Sequence, residues 1–432
     1  MTDTEEGEKP LYTAEELENS APMDWDRRLG GPAGAALRQS ILNRLAALEQ
    51  RQRRRQPAAQ ESWETTVEAL AANLLALVRT KGDSYRFLGV SFNRNSYTGS
   101  GVSHDAAVKF RDLGRAAGWL EVAGGFRKPD GYGRHTRIRA AGTLLELFEE
   151  ADASARNVSR SASGLLRLRK AKEQVPAPPQ VEASRTFLER LNGRLAALRI
   201  ELPQEQWDKL PTIVEPDDGS LAEDKRRHRK YAQDVSATSL YRVFNGAWDR
   251  GGRMYGGWWM SLPKALRPHL TINGKPTVER DYAQLHPTLL FARTGVMVPQ
   301  DVYGLSAFEG EHVREVAKRT FARLVNSKTQ VRRAHKEDRG KLPGRVRFRD
   351  FLSDFEGKLY DISEWFGVGE GLALQFEDSE LALAVLERLD AAGIDALPIH
   401  DSFIVQEEHD LDLQAAMHAA FVEKYGHAPR IK

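Results

Sequence analysis

The chain has 432 residues, enough for two or three domains with a sizeable core. Hydrophobic residues make up 41% and charged residues 29%, the balance of an ordinary globular protein, and no run of about 18 apolar residues marks a membrane span. Cysteine is absent, which excludes disulfides, thiolate zinc sites and cysteine nucleophiles, and the net charge is only +2.

The acidic, polar start "MTDTEEGEKPLYTAEE" lacks the pattern of a secretory signal, so a cytoplasmic protein with no membrane partner is expected. The charge is unevenly spread. Residues 311–350 carry 13 Lys and Arg against 5 Asp and Glu, and further basic runs stand at "RQRRR" (51–55) and "KRRHRK" (225–230). Segregated charge suggests a polyanionic partner; solvated helix faces are the plainer reading of any one cluster.

Residues 1–60 read as a flexible start followed by a helix over 33–55. In that helix Leu37, Ile41, Leu45 and Leu48 share one face, and the arginine run ends it. Residues 61–150 read as a small domain of helix, strand, helix and strand pair. Ser103 is placed to cap the second helix, and Phe110, Leu113 and Ala117 form its apolar face. The strand pair in "WLEVAGGFRKPDGYGRHTRIRA" has a Gly-rich tip, an order that resembles a winged helix. Arg127, Lys128, Arg134 and Arg137, with His135 and Arg139, would lie on or near the wing and could meet phosphates. Protein contact is the other use of such a module. Residues 151–183, rich in Ser, Ala and Arg and ending in "VPAPPQ", read as a linker to a larger domain at 184–432.

Two aspartates of the larger domain have matching contexts. Asn273-Gly274 predicts a hairpin whose second strand delivers Asp281, followed by a helix. In "ALPIHDSFIVQ" apolar flanks surround His400-Asp401, as in a hairpin carrying both residues in its turn. Burying a bare carboxylate there is costly unless it is paired or metal-bound. Two carboxylates on neighbouring strands can hold two Mg²⁺ ions for in-line phosphoryl displacement. Each could equally be a helix cap or a turn residue. In "HVREVAKRTFARLVNSK" Arg314 and Lys318 fall on one helix face, where they could receive a triphosphate. In "WDRGGRMYGGWW" Gly252 beside Arg253 would let the backbone approach a nucleic-acid phosphate while the guanidinium grips it. Tyr255, Trp258 and Trp259 are candidates for base stacking.

Taken in order, these segments resemble the polymerase core of the family A DNA polymerases and the phage-type single-subunit RNA polymerases. Asp249-x-x-Gly252-Arg253 resembles their hybrid-contacting element. "RDYAQLHP" resembles motif A, with Asp281 as first metal ligand and Tyr282 beside the nucleotide. "REVAKRTF" resembles motif B, with Arg314 and Lys318 on the triphosphate. "IHDSF" resembles motif C, with Asp401 as second metal ligand and His400 near the primer end. Gln375 matches a glutamine that reads the minor groove of the primer-template. The resemblance spans about 240–410.

It implies an α+β fold: a right-hand palm on an antiparallel sheet (241–295 and 376–432), helical fingers (296–375) and a reduced, thumb-like segment (184–240), preceded by the winged-helix domain. It further implies two Mg²⁺ ions, with Mn²⁺ as a substitute, and as partners a DNA template in a primer-template duplex and nucleoside triphosphates. No proofreading exonuclease is recognised. Where the DNA polymerases place a Glu five residues after the motif A Asp, this chain has His286, whose bulk favours deoxynucleotides. Ser402 after Asp401 is closer to the RNA polymerases, and Asn326 stands where both groups end motif B with Tyr. DNA polymerase is therefore the favoured expectation, with an RNA polymerase or primase as the alternative. A non-enzymatic replication initiator is the second alternative, and a mobile element is the expected setting.

Overall fold

The computed structural model describes residues 12–80, 86–97, 101–127, 133–169, 175–209, 213–214, 228–229, 234–305, 307–308, 312–344 and 346–432. The chain is an α+β protein with two hydrophobic cores, one drawn from Leu29 to Val158 and the other from Leu165 to Phe421. Lys128 and most of the basic run at 225–230 lie outside the described residues.

The first core begins earlier than a boundary at 60. Helix α1 (Gly31–Glu49) buries Leu37, Ile41 and Leu45 and stops before the arginine run, and Leu48, expected on the same face, is 41% exposed. Helix α2 (Pro57–Val78) is apolar almost all round and is buried from Ala69 to Leu77, as a central helix must be. Strand β1 (Leu88–Val90) leads to α3 (His104–Ala116), whose Ser103 cap accepts a hydrogen bond from the Ala106 N–H at 3.3 Å. Strands β2 (Leu120–Ala123) and β3 (Thr136–Ala140) form the expected antiparallel hairpin, prolonged by the pair Phe126–Arg134. β1 pairs antiparallel with β3, giving the order β1-β3-β2, and α4 (Gly142–Glu150) closes the unit.

The expected linker is largely structured. Val158–Arg160 pairs with Arg27–Leu29, and β4 (Leu166–Arg169) joins the larger unit. Arginines mask an alternating Leu-Arg-Leu-Arg pattern here, in which the leucines face a core. The junction is ionic. Arg160 pairs with Asp24, Arg167 with Asp26, and Arg27 with Asp234, while the Tyr241 ring lies between Arg160 and Arg167 at 4.4 and 4.3 Å.

In the larger unit, α5 (Pro179–Ala197) precedes β5 (Tyr241–Asn245) and β6 (Ala247–Tyr255), an antiparallel pair to which β4 adds a parallel edge. The main sheet is wholly antiparallel. Its order is Ile200–Glu201, β7 (Thr271–Ile272), β8 (Lys275–Asp281), then β10 (Ser402–Gln406) and β9 (Leu397–Ile399). Asn273 and Gly274, both at positive φ, form the expected two-residue turn between β7 and β8. Helices α6 (Leu285–Thr294), α7 (Val313–Asn326), α8 (Phe348–Lys358), α9 (Gly371–Ala391) and α10 (Asp410–Tyr425) complete it, with α9 laid across β6.

That crossing explains Gly252. Its φ is +79°, and a Cβ there would stand 2.8 Å from Ser379 Oγ and 2.9 Å from Arg242 Nη2. Within the chain, the close approach that this glycine permits is to α9.

Burial alone would push the Asp24 carboxyl up, but Arg160, Arg167 and Arg27 hold it at about 2, from an ordinary 3.8. A depressed carboxyl contributes stability that is complete above its unfolded value and is lost as pH falls through the folded one. Asp24→Asn is therefore expected to destabilise the protein at pH 7 by roughly 2 kcal/mol. The deficit should narrow as pH is lowered from about 5 to about 3 in denaturant titrations, and a pH-independent deficit would contradict the ionic junction.

Candidate active site

β9 and β10 are joined by a two-residue turn of His400 and Asp401, His400 adopting φ 58°. β10 also pairs with β8, in a register that sets Asp281 opposite Ser402. Asp281 and Asp401 therefore stand at the ends of neighbouring strands, tied by the Tyr282 N–H to the Asp401 carbonyl at 3.4 Å. Burial first, then the charge of Asp281, raises the Asp401 pKa above the usual carboxylate value, and Arg253 partly offsets them. The two carboxylates repel and lie within electrostatic reach of one another.

Residues 430–432 run alongside Asp281. The Ala283 N–H donates to the Arg430 carbonyl at 2.8 Å, Asp281 and Lys432 exchange two backbone hydrogen bonds at 3.0 Å, and Lys432 Nζ is 3.0 Å from Asp281 Oδ2. Ser402 turns its hydroxyl to Glu279 at 2.9 Å, and Glu279 is also paired with Arg267.

Behind the carboxylates lies a buried ionic cluster that the sequence reading missed. Asp378 on α9, 1% exposed, receives Arg253 Nε at 3.1 and 3.0 Å and also its Nη2, and lies 2.7 Å from His286 Nε2. Arg253 thus grips a carboxylate of its own chain, and His286 turns toward the same group. Nothing in "QFEDSE" singles out Asp378 among its acidic neighbours except its place one turn beyond Gln375, which is half-buried on the same helix. Burial, followed by the Arg253 charge, lowers the His400 pKa, so this imidazole is neutral at pH 7. Its Nδ1 is buried and has no hydrogen-bond partner among the described residues.

Arg314 and Lys318 are exposed side by side on α7, over the Tyr303 ring at 5.6 and 5.9 Å, and Arg314 pairs with Asp301. The Tyr303 hydroxyl is pushed up by burial, drawn back by Arg314 and pushed up again by Asp401. Tyr303 therefore lies within electrostatic reach of both Arg314 and Asp401. It carried no sequence signal, since it precedes the helix in an irregular segment.

Other expected residues fall elsewhere. Tyr282, expected at the nucleotide, is 2% exposed and donates its hydroxyl to the Met417 carbonyl at 2.6 Å. Successive strand side chains alternate faces, so the neighbour of Asp281 faces the core. Asn326 lies at the far end of α7, about 12 Å of helix rise from Lys318, and donates to the Ala322 carbonyl. Asp249 is exposed on β6. Trp258 and Trp259 are core, the Trp259 indole donating to Pro398, which leaves Tyr255 as the exposed aromatic.

On the N-terminal hairpin, Arg137 donates to the Leu17 carbonyl and Arg139 pairs with Glu121, so both expected phosphate contacts are engaged within the chain. Arg134 lies over the Phe126 ring. Of Arg127 the backbone alone is described.

Among the described residues no group of three or more His, Asp and Glu side chains is arranged to hold a metal ion, and no helix is long and apolar enough to cross a membrane. Asp281 and Asp401 remain as a two-carboxylate donor set. That set fits Mg²⁺, which is commonly held by one or two carboxylates and completed by phosphates and water. No family model matches the chain, and no curated protein matches it significantly.

Ionised Asp401 is disfavoured by its surroundings, so neutralising it should relieve the fold. Asp401→Asn is expected to raise the melting temperature by about 1–3 °C in EDTA. A fall in thermal denaturation would show that other contacts of this carboxylate outweigh the repulsion.

Proposed function

We propose that the chain is a template-directed nucleotidyltransferase, with DNA synthesis favoured, which extends a 3′ end by a two-metal mechanism. The single observation that carries this reading is the meeting of Asp281 and Asp401 on adjacent strands. In this reading the main sheet is the palm, α7 and α8 belong to the fingers, and the N-terminal unit is a winged-helix module. The strand order β1-β3-β2 with α3 packed beside it supports the last assignment, and the exposed Lys109 and Arg115 of α3 offer cations to DNA.

Each residue then has a task. Asp281 and Asp401 would hold the metal ions, which when bound activate the 3′-hydroxyl and neutralise the leaving pyrophosphate. Arg314 and Lys318 would bind the triphosphate, Arg314 exchanging Asp301 for a phosphate oxygen. A nucleotide reaching from those cations to the carboxylates lies against Tyr303. Asp378 fixes Arg253 and His286, and neutral His400 can contact the primer end without adding charge. Rigid positioning and charge stabilisation provide the catalysis.

The deciding experiment is matched primer extension with dNTPs and NTPs, on primed and unprimed templates. Wild type is expected to incorporate dNTPs with Mg²⁺ or Mn²⁺. Asp281→Asn or Asp401→Asn should lower incorporation by about a hundredfold or more while leaving DNA binding intact. Preference for NTPs would identify an RNA polymerase or primase, the outcome that Ser402 favours. Incorporation of neither on any template would reject the enzymatic reading and leave a DNA-binding initiator.

A further inference from the structure

At the edge opposite the β9–β10 hairpin, the main sheet ends in the short strand Ile200–Glu201, which among the described residues pairs only with β7. A cleft of about 440 Å³ opens along this edge. Its floor is apolar. Leu198, Ile200, Trp207 and Val235 line it, each half-buried and packed from behind on the second core. Half-exposed apolar side chains that converge on one concavity of this size are the usual lining of a small-molecule site.

The walls add shape and charge. The Trp207 ring rests on Trp258, with centroids 5.6 Å apart and planes 32° from parallel, which makes one wall a broad aromatic surface. Arg156 and Arg199, both exposed, supply two guanidiniums. Arg156 pairs with no carboxylate among the described residues, and Arg199 pairs with Glu201 at 3.2 Å. Two cations against one acid, beside an aromatic wall, complement an aromatic ring joined to an anionic group. A nucleoside monophosphate has that form. Its base would stack on the indole, its phosphate would take the guanidiniums, and its ribose hydroxyls would donate to Glu201.

The cleft is separate from the candidate active site. Thr271 in its wall stands opposite Pro276, five residues and about 17 Å along β8 from Asp281. It also lies where the two units meet. Arg156 comes from the segment just before Val158 of the first core, whereas Trp207 belongs to the larger unit. Val235 follows Asp234, the residue that Arg27 holds across the ionic junction.

We propose that this cleft binds a nucleoside monophosphate, with the base against Trp207, the phosphate on Arg156 and Arg199, and the ribose on Glu201. A bound nucleotide touches both units and so favours their docked arrangement. The cleft uses none of Asp281, Asp401, Arg314 and Lys318, and therefore stands whether or not the chain is a polymerase.

The test uses the full chain and AMP, with adenosine as the uncharged control, in isothermal titration calorimetry with EDTA present. Wild type is expected to bind AMP more tightly than adenosine. Trp207→Ala should weaken AMP binding at least about fivefold, and Trp207→Phe should retain most of it. Arg156→Gln with Arg199→Gln should weaken AMP binding about tenfold or more and leave adenosine binding unchanged. AMP should also raise the melting temperature of wild type, and raise that of Trp207→Ala less at the same concentration. Cooperative melting of each variant without ligand shows that it is folded. Arg314→Ala with Lys318→Ala should bind AMP as wild type does. Loss of AMP binding in that variant would move AMP to the α7 face and overturn the assignment. No binding to wild type, or full binding by Trp207→Ala, overturns it as well. AMP binding of the expected pattern in a protein that incorporates no nucleotide upholds the cleft and rejects the polymerase. An active polymerase that binds no AMP here rejects the cleft alone.

Discussion

One buried negative charge organises the larger unit. Asp378 sits inside α9 with almost no access to water, and a carboxylate in that position without partners would cost several kcal/mol. Arg253 from β6 and His286 from α6 supply the partners. A second guanidinium, that of fully buried Arg242 on β5, adds contacts to Ser379 and Glu380 one and two residues further on. α9 is therefore clamped to the β5–β6 ribbon by two arginines. The approach is so close that glycine alone fits at 252. Arg253 of this clamped layer is also within electrostatic reach of Asp401.

The arrangement also explains how the carboxylates differ from their surroundings. Asp378 is matched in charge by Arg253. Asp281 has the exposed Lys432 ammonium, and Asp401 is drawn down by an arginine already committed to Asp378 and by a backbone N–H. Charge is matched in the support and incompletely matched at Asp401. The repulsion between the two carboxylates persists because the surrounding packing holds both strands in register.

What the sequence made legible was local. The Asn-Gly turn, the Ser103 cap and the hairpin around His400-Asp401 each follow from rules that operate within a few residues. The alternation of strand faces turns the residue after Asp281 toward the core, which removes Tyr282 from the site. What stayed hidden was long-range. The partners of Asp378 come from 125 and 92 residues away in sequence, and no periodicity points to them. Arg137 looked like a free wing cation because the segment that occupies it, around Leu17, is polar and short. The segment expected as a linker follows the same logic: Leu166–Arg169 is a strand because β5 is there to receive it.

The Lys432 ammonium 3.0 Å from Asp281 has one more implication. A cation that takes that carboxylate displaces another cation. The displaced side chain belongs to a segment zipped to Asp281 and Ala283 through backbone hydrogen bonds. Ion loading and the fraying of residues 430–432 therefore share one equilibrium, in which a loosened edge strand and an occupied carboxylate favour each other.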